Sequence, residues 1–378
     1  MVRFVHSADW QIGMTRHFLT PESQSRYSEA RLESIRRTAE LATKEACDFV
    51  VVSGDVFESN QLDRRVASRA LDAMASFEVP VFLLPGNHDP LLSAGSVWDS
   101  PTFIDRCPTN VVVLRNATPV PVPGCNAEVV GAVWHSKGPI RDLVAETVAL
   151  LEPASGVRVL VGHGAIDVGN RDQTRSGLIA LAGIEQAVRD GLIQYVALGD
   201  RHSVTDVGST GRIWYSGTPL ATDYDEAEPN QVLVVELDGQ HCSVQRRRVG
   251  DWCFLERRFD FYGDASVSEV REWLDALADK RRSIVKLSFV GTISLAVKAR
   301  LDALLDDYRD LLAALEVPER HIDLAILADD EDFADLGLGG FVVSTIADLK
   351  ELASHSGEDG EAAQDALALL YRLSGAGL

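Results

Sequence analysis

Five times before residue 203, an apolar, strand-like run ends in a polar side chain beside a glycine or a turn. The segments are Ser7-Ala8-Asp9, Ser53-Gly54-Asp55, Pro85-Gly86-Asn87-His88-Asp89, Val161-Gly162-His163 and Leu198-Gly199-Asp200-Arg201-His202. This recurrence constrains the fold more than any other feature, because open α/β sheets present their ligands at strand carboxyl ends. Any one segment alone reads as a turn or a helix cap. Five in this order read as one site.

The intervening sequence fits that architecture. Apolar runs bounded by Gly and Pro, at 3–6, 49–52, 81–84, 111–114, 129–134, 158–161, 195–198 and 231–237, read as strands buried on both faces. Amphipathic stretches at 26–46 and 64–77 read as helices between them, giving βα alternation to about residue 240. Basic clusters then appear (Arg246-Arg247-Arg248, Arg257-Arg258, Lys280-Arg281-Arg282) among helices at 267–278 and 295–315 and strands at 284–290 and 322–327. We place a boundary there. The 378 residues divide into 1–244, a smaller α/β unit at 245–353, and a linker with a terminal helix at 354–378. That helix carries Ala366, Leu369, Leu370 and Leu373 on one side and either docks internally or meets a partner.

Composition narrows the function. With 46% hydrophobic and 25% charged residues the chain is of ordinary globular type, and no apolar run reaches the roughly 20 residues a bilayer span needs. The first residues enter a strand directly, without the pattern of a signal peptide. Five cysteines without a C-x-x-C spacing argue against a disulfide framework or a zinc–thiolate site, so a reducing cytoplasm is expected. A net charge of -21 opposes any general coating of nucleic acid. Carboxylates gathered around metal ions are neutralised locally, however, and a polyanion meets the cleft rather than the total charge.

The five segments, with Tyr215-Ser216-Gly217-Thr218-Pro219, closely resemble the calcineurin-like metallophosphoesterase superfamily and, within it, the SbcD-type DNA repair nucleases. The resemblance covers residues 1 to about 240 and is much weaker beyond, where it rests on architecture alone. It implies a four-layer α/β/β/α sandwich with a smaller C-terminal α/β capping domain. It also implies two divalent metal ions, manganese in first place and magnesium in second. Asp9, Gln11, Asp55 and His202 would hold one, and Asp55, Asn87, His163 and Asp200 the other, with Asp55 bridging. Such ions, about 3.5–4 Å apart, clamp a phosphate for in-line attack. His88 would protonate the leaving oxygen, with Asp89 orienting its ring. The implied partners are DNA, an SbcC-like coiled-coil ATPase and a second copy of the chain.

Two positions depart from the family pattern, which has histidine in place of Gln11 and Gly-His-x-His in place of Gly199-Asp200-Arg201-His202. An amide and an added carboxylate make the donor set richer in oxygen, favouring manganese or magnesium over zinc. The added charge also makes the ions less acidic toward water. Arg16, His17, His135, Arg246 and Arg248 are candidates for DNA contact, with a solvated surface as the competing reading, whereas His6 and Trp134 read as core. Two other functions remain open: a phosphodiesterase or phosphatase acting on a small nucleotide, and a catalytically weak scaffold that engages DNA and the ATPase.

Overall fold

The structure is a computed structural model and describes residues 1–378 apart from 93, 169–175, 240, 262–263, 319–321, 328–340, 354, 356 and 374–378. His321 and part of the expected 354–360 linker therefore lie outside the described residues. The chain forms two compact units, one of Met1–His17 with Gln24–Trp252 and the other of Phe18–Ser23 with Cys253–Leu378.

In the first unit, β1 (Val2–Ser7), β2 (Phe49–Val52), β3 (Val81–Leu83) and β4 (Val111–Val113) run parallel. They join the antiparallel β11 (Gln231–Asp238) and β12 (His241–Arg248) in the order β12-β11-β1-β2-β3-β4. A second six-stranded sheet has the order β5-β6-β7-β8-β10-β9. Its strands are β5 (Val120–Pro121), β6 (Ala127–Gly131), β7 (Val157–His163), β8 (Tyr195–Gly199), β9 (Thr205–Asp206) and β10 (Ile213–Tyr215).

Strand periodicity explains the layering. Successive side chains point to opposite faces, so Phe4, Phe49, Val51 and Phe82 meet Val129, Val159, Val161, Tyr195 and Ala197 of the other sheet in one core. Val5, Val50, Val52, Val81 and Leu83 point the other way, onto α1 (Pro21–Lys44) and α2 (Arg64–Met74). α3 (Pro101–Arg106) contributes Phe103 to the same cluster. The outer face of the second sheet packs Val130, Leu160, Val196 and Leu198 against Val144 of α4 (Leu143–Val148) and Ile184 and Ala187 of α5 (Leu181–Arg189). Three buried clusters separate four layers, helix, sheet, sheet and helix. Between the sheets Phe4 stacks on Phe49 at 4.8 Å and meets Tyr195 edge-on at 5.3 Å.

The division falls at residues 252/253 rather than 244/245. β12 accounts for the difference: Gln231↔Arg248 through Asp238↔His241 pair along its full length with β11, which binds Arg246–Arg248 into the first unit. In the second unit β13 (Cys253–Phe261), β14 (Ser283–Ser294), β15 (Ala314–Glu316) and β16 (Ile322–Leu327) are parallel, with β15 and β16 pairing successive halves of β14. α6 (Asp264–Asp275) and α7 (Leu295–Arg309) bury Val270, Leu274, Leu301 and Leu304 with Leu287 and Phe289 of β14. The helix expected over 295–315 ends at Arg309, and Ala314–Glu316 is a strand. α8 (Phe341–Ala353) and α9 (Glu358–Leu373) close the unit, with Ile346 and Leu367 packed on Leu295 and Ala299, so the terminal helix docks internally. No helix of the described residues is long and apolar enough to cross a membrane, and all five cysteines are free thiols.

Candidate metal centre

The carboxyl ends of β1, β2 and β3 in one sheet and of β7 and β8 in the other carry the five polar segments. Backbone hydrogen bonds stitch their loops together: Asp9 N to Gly54 O (3.1 Å), Gln11 N to Asp55 O (2.8 Å) and Gly164 N to Gly199 O (3.2 Å). Close approach dictates two of the glycines. A Cβ on Gly86 would lie 2.2 Å from Asp55 Oδ1, and one on Gly199 would lie 1.8 Å from the Ser53 carbonyl. The chain is also held in sparsely populated backbone at the site itself, with positive φ at Asp9 (52°), Gln11 (43°), Asp55 (49°) and Asp200 (93°). Non-glycine residues adopt this region at a cost, and such strain concentrates at functional sites.

Asp9, Asp55 and His163, all buried, bring one ligand atom each within 4.8 Å of one another. His163 Nε2 is 3.3 Å from Asp55 Oδ2 and 2.8 Å from Asn87 Oδ1, while Nδ1 donates to the Ser53 carbonyl at 2.8 Å. The Ser53 bond fixes the ring and aims Nε2 at the cluster. On the opposite side, the Asp200 main-chain N–H donates to both oxygens of Asp9 at 3.2 Å. His202 Nε2 lies 4.0 Å from Asp9 Oδ1 and 3.3 Å from Gln11 Nε2. Its Nδ1 is held by Thr222 Oγ1 (2.7 Å) and Glu226 Oε1 (3.0 Å), and Glu226 also accepts from Thr222 N at 2.9 Å.

The protonation pattern describes a site organised for positive charge. Burial pushes the His163 imidazole down, but Asp55, Asp9 and Asp200 outweigh it and raise its pKa to about 10. Burial likewise opposes charge on His202, where the hydrogen bond its Nδ1 donates to Glu226 and the charge of Asp9 carry it up to about 9. Asp55 is pushed up by burial, yet His163 and His88 hold it below its ordinary value. Burial raises Asp9 to about 7 against the pull of His202 and His163.

These residues fit a divalent cation. His163 holds a proton on the Nε2 that faces the Asp55 carboxylate and the Asn87 amide oxygen, where a cation would take the proton's place. Gln11 Oε1 is buried with no hydrogen-bond partner among the described residues, an orphaned oxygen that a cation would satisfy.

The other expected residues are distributed unevenly. His88 sits beside the cluster, with N donating to Asp55 Oδ1 (2.9 Å), Nε2 3.9 Å from Asp55 Oδ2 and Nδ1 3.1 Å from the Glu58 carbonyl. Asp89 does not orient it. The Asp89 oxygens accept instead from Phe57 N (2.9 Å) and Gly86 N (2.7 Å), and burial followed by the charge of Asp55 raises its pKa to about 8. Asp89 thus braces the loop, and the Glu58 carbonyl orients the His88 ring. The Asp200 carboxylate lies outside the tight three-residue cluster. Arg16 is tied to the Thr222 carbonyl. His17 and His135 are exposed, Arg246 pairs with Glu228, and Arg248 Nε donates to the Gly250 carbonyl at 3.1 Å. His6 is core, bonded to Tyr195 Oη (3.1 Å) and the Leu198 carbonyl (3.2 Å). Trp134 is buried and donates to the His163 carbonyl at 2.9 Å. Glu58, Thr222 and Glu226 had no motif to reveal them, and Ser53, inside the second segment, acts through its carbonyl rather than its side chain.

Residues 2–203 match the family model described as calcineurin-like phosphoesterase. The chain belongs to that family. Its members use divalent metals, so the chain is a metal-dependent phosphoesterase, and the Asp9–Asp55–His163 cluster is its candidate metal site. The chain is 28% identical over 185 residues to the DNA double-strand break repair protein Mre11 of Archaeoglobus fulgidus, a match spanning 44% of this chain and 39% of that protein. It is 26% identical over 281 residues to the SbcD component of the nuclease SbcCD of Rhodobacter capsulatus (63% of this chain, 67% of that one). The corresponding component of the Escherichia coli nuclease is 22% identical over 317 residues (72% and 77%).

Proposed function

We propose that the chain is a manganese-dependent DNA nuclease, accepting magnesium less well, that acts in DNA repair with an SbcC-like coiled-coil ATPase. The observation that carries this reading is the convergence of Asp9, Asp55 and His163 from three strand ends, flanked by Asn87, Gln11 and His202. Similarity to nuclease and break-repair proteins supports the choice of DNA.

In this reading Asp9, Gln11, Asp55 and His202 hold one ion, and Asp55, Asn87, His163 and Asp200 the other. Bound there, divalent ions supply Lewis acidity toward the phosphodiester and lower the pKa of the attacking water. His88 donates the proton that the leaving oxygen needs: Nδ1–H is committed to the Glu58 carbonyl, which leaves Nε2 to face the reacting phosphate. The smaller C-terminal unit, expected over 245–353 and beginning at Cys253, is the further DNA-contacting part of this reading. The free cysteines suit a reducing cytoplasm, and a homodimer is the assembly this reading expects.

Incubating linear single- and double-stranded DNA with the protein and manganese tests the proposal. Cleavage no greater than that by Asp55→Asn would sink it. A phosphodiesterase acting on a small nucleotide is the second reading. It is favoured by a recess of about 580 Å³ lined by Asp200, Arg201, Ile166 and Tyr215, a volume that suits a mononucleotide. Turnover of cyclic nucleotides without action on DNA would select it.

A further inference from the structure

The outer surface of α2 and the end of α3 carry a cluster that the metal centre does not use. Arg64, Arg65, Ser68 and Arg69 of α2 and Arg106 of α3 line an open recess of about 380 Å³. All four arginines are exposed. Many arginines elsewhere in the acidic chain are paired with acids, as in Arg37–Asp251 (3.0 Å), Arg158–Glu128 (2.6 Å) and Arg247–Glu45 (2.9 Å). In this recess only Arg65 is. Asp63 caps α2 by accepting from Arg65 N at 2.8 Å and lies 3.6 Å from Arg65 Nε. Arg64, Arg69 and Arg106 have no ion pair among the described residues, and Asp72 and Asp105, close by in sequence, pair with none of them.

This arrangement opposes helix stability in two ways. Arg64 and Arg65 occupy the first turn of α2, where the helix dipole disfavours positive charge, and Arg65 and Arg69 are like charges at i, i+4. A merely solvated face gains nothing from such crowding, whereas a site for a polyanion does. The recess also has a direction. Arg65 and Arg69 are shared with a second recess of about 570 Å³ whose lining includes Ile12 and Gly13, the residues that follow Gln11. Glu29, the other acid there besides Asp63, is engaged by Arg36 at 2.9 Å. A track therefore leads from the loop of the first metal-site segment to four arginines.

We propose that Arg64, Arg65, Ser68, Arg69 and Arg106 form a second contact for the phosphodiester backbone of a nucleic acid, separate from the metal centre. The choice of ligand rests on the nuclease reading. The guanidinium groups hold phosphate oxygens through charge-assisted hydrogen bonds, without reading bases. A substrate long enough to span both sites is retained when its reacting end is released, and a mononucleotide is not.

Anisotropy of labelled oligonucleotides, measured in chelator so that no metal contact or hydrolysis contributes, tests this with the wild type and the triple variant Arg64→Gln/Arg69→Gln/Arg106→Gln. Thermal unfolding checks the fold of the variant. The wild type should bind with a steep salt dependence. The variant should bind at least about tenfold more weakly, with a log–log salt slope shallower by about 2, from about 0.7–0.9 for each lost phosphate contact. Equal binding by the two proteins would overturn the proposal, as would wild-type binding that is no tighter for a long oligonucleotide than for inorganic phosphate or a mononucleotide. Binding of polyglutamate but not of oligonucleotide would assign the patch to an acidic protein instead and also overturn it. Cleavage in manganese is scored separately against Asp55→Asn. Cleavage by the wild type with unaltered binding by the triple variant removes this site alone, and lost binding without any cleavage removes the nuclease reading alone.

Discussion

Gly199→Ala puts the geometry of the metal centre to a direct test. The new methyl would lie 1.8 Å from the Ser53 carbonyl oxygen, 2.9 Å from His163 Nδ1 and 3.0 Å from Ala8 Cβ. The first contact is with backbone and cannot be relieved by a rotamer change, so the ends of β2 and β8 must separate. Ser53 O is also the acceptor that holds His163 Nδ1 at 2.8 Å. Overpacking costs about 1–3 kcal/mol, and loss of a buried hydrogen bond from a charged imidazole about 1.5–3 kcal/mol. At about 2–4 °C per kcal/mol for a unit of this size, the metal-free melting temperature should fall on the order of 10 °C. Releasing the His163 ring should also weaken manganese binding by about 10–100-fold. Gly183→Ala is the control. In α5 its methyl would meet nothing within 4 Å, and it should stabilise by about 0.5–1 kcal/mol. Differential scanning calorimetry and manganese titration read both effects. A Gly199→Ala protein that melts within about 1 °C of the wild type and binds manganese equally well would show that the strand ends are not packed as described.

Other perturbations address separate parts of the site. Glu226→Gln should weaken manganese binding by about 10–100-fold, because the carboxylate that fixes His202 Nδ1 at 3.0 Å is lost, and unchanged affinity in calorimetric titration would refute that role. The raised values of His163 (about 10), His202 (about 9) and Asp9 (about 7) mean that the metal-free site holds protons near neutrality. Manganese must displace them, so affinity should rise with pH, and binding heats at pH 7 should depend on the ionisation enthalpy of the buffer; buffer-independent heats would contradict this. His6 titrates at about 3 when folded, against 6.5 unperturbed. A lowered histidine contributes stability that is present above 6.5 and lost as pH falls toward 3, up to about 5 kcal/mol. His6→Gln should therefore flatten the acid side of a urea-midpoint profile, and an unaltered slope would exclude His6 as its source. Replacing both unusual donors, Gln11→His with Asp200→His, should shift metal preference from manganese toward zinc in competition titrations.

What the sequence revealed and what it hid follow from the reach of each interaction. The strands of the first unit were readable because both faces are buried, so Phe49–Val52 or Val81–Leu83 shows an unbroken apolar run whatever its neighbours. β12 and β13 were not. Each carries a charged cluster that is largely exposed, Arg246–Arg248 in one and Glu256–Arg258 in the other, and read as surface clusters around a boundary. Both lie at sheet edges, where charge discourages further pairing without signalling a strand. The candidate ligands were legible because each ends its strand or follows it within four residues, so local pattern and spatial position coincide. Their supports lack that coincidence: Thr222 and Glu226 reach His202 across 20 and 24 residues, and Ser53 and Glu58 act through carbonyl oxygens that any residue would supply. The strained backbone at Asp9, Gln11, Asp55 and Asp200 was equally silent, since none of these positions is a glycine and only Asp55 and Asp200 have one beside them. Gln11 and Asp200 are therefore more than departures from a motif. Each stands in a backbone conformation that opposes it. Gln11 carries a buried, orphaned amide oxygen beside the site, and Asp200 holds Asp9 through its own N–H, an interaction that survives any change of its side chain. The bond from position 200 to Asp9 is thus independent of the side chain there, so the Asp200→His exchange alters a donor while keeping that bond.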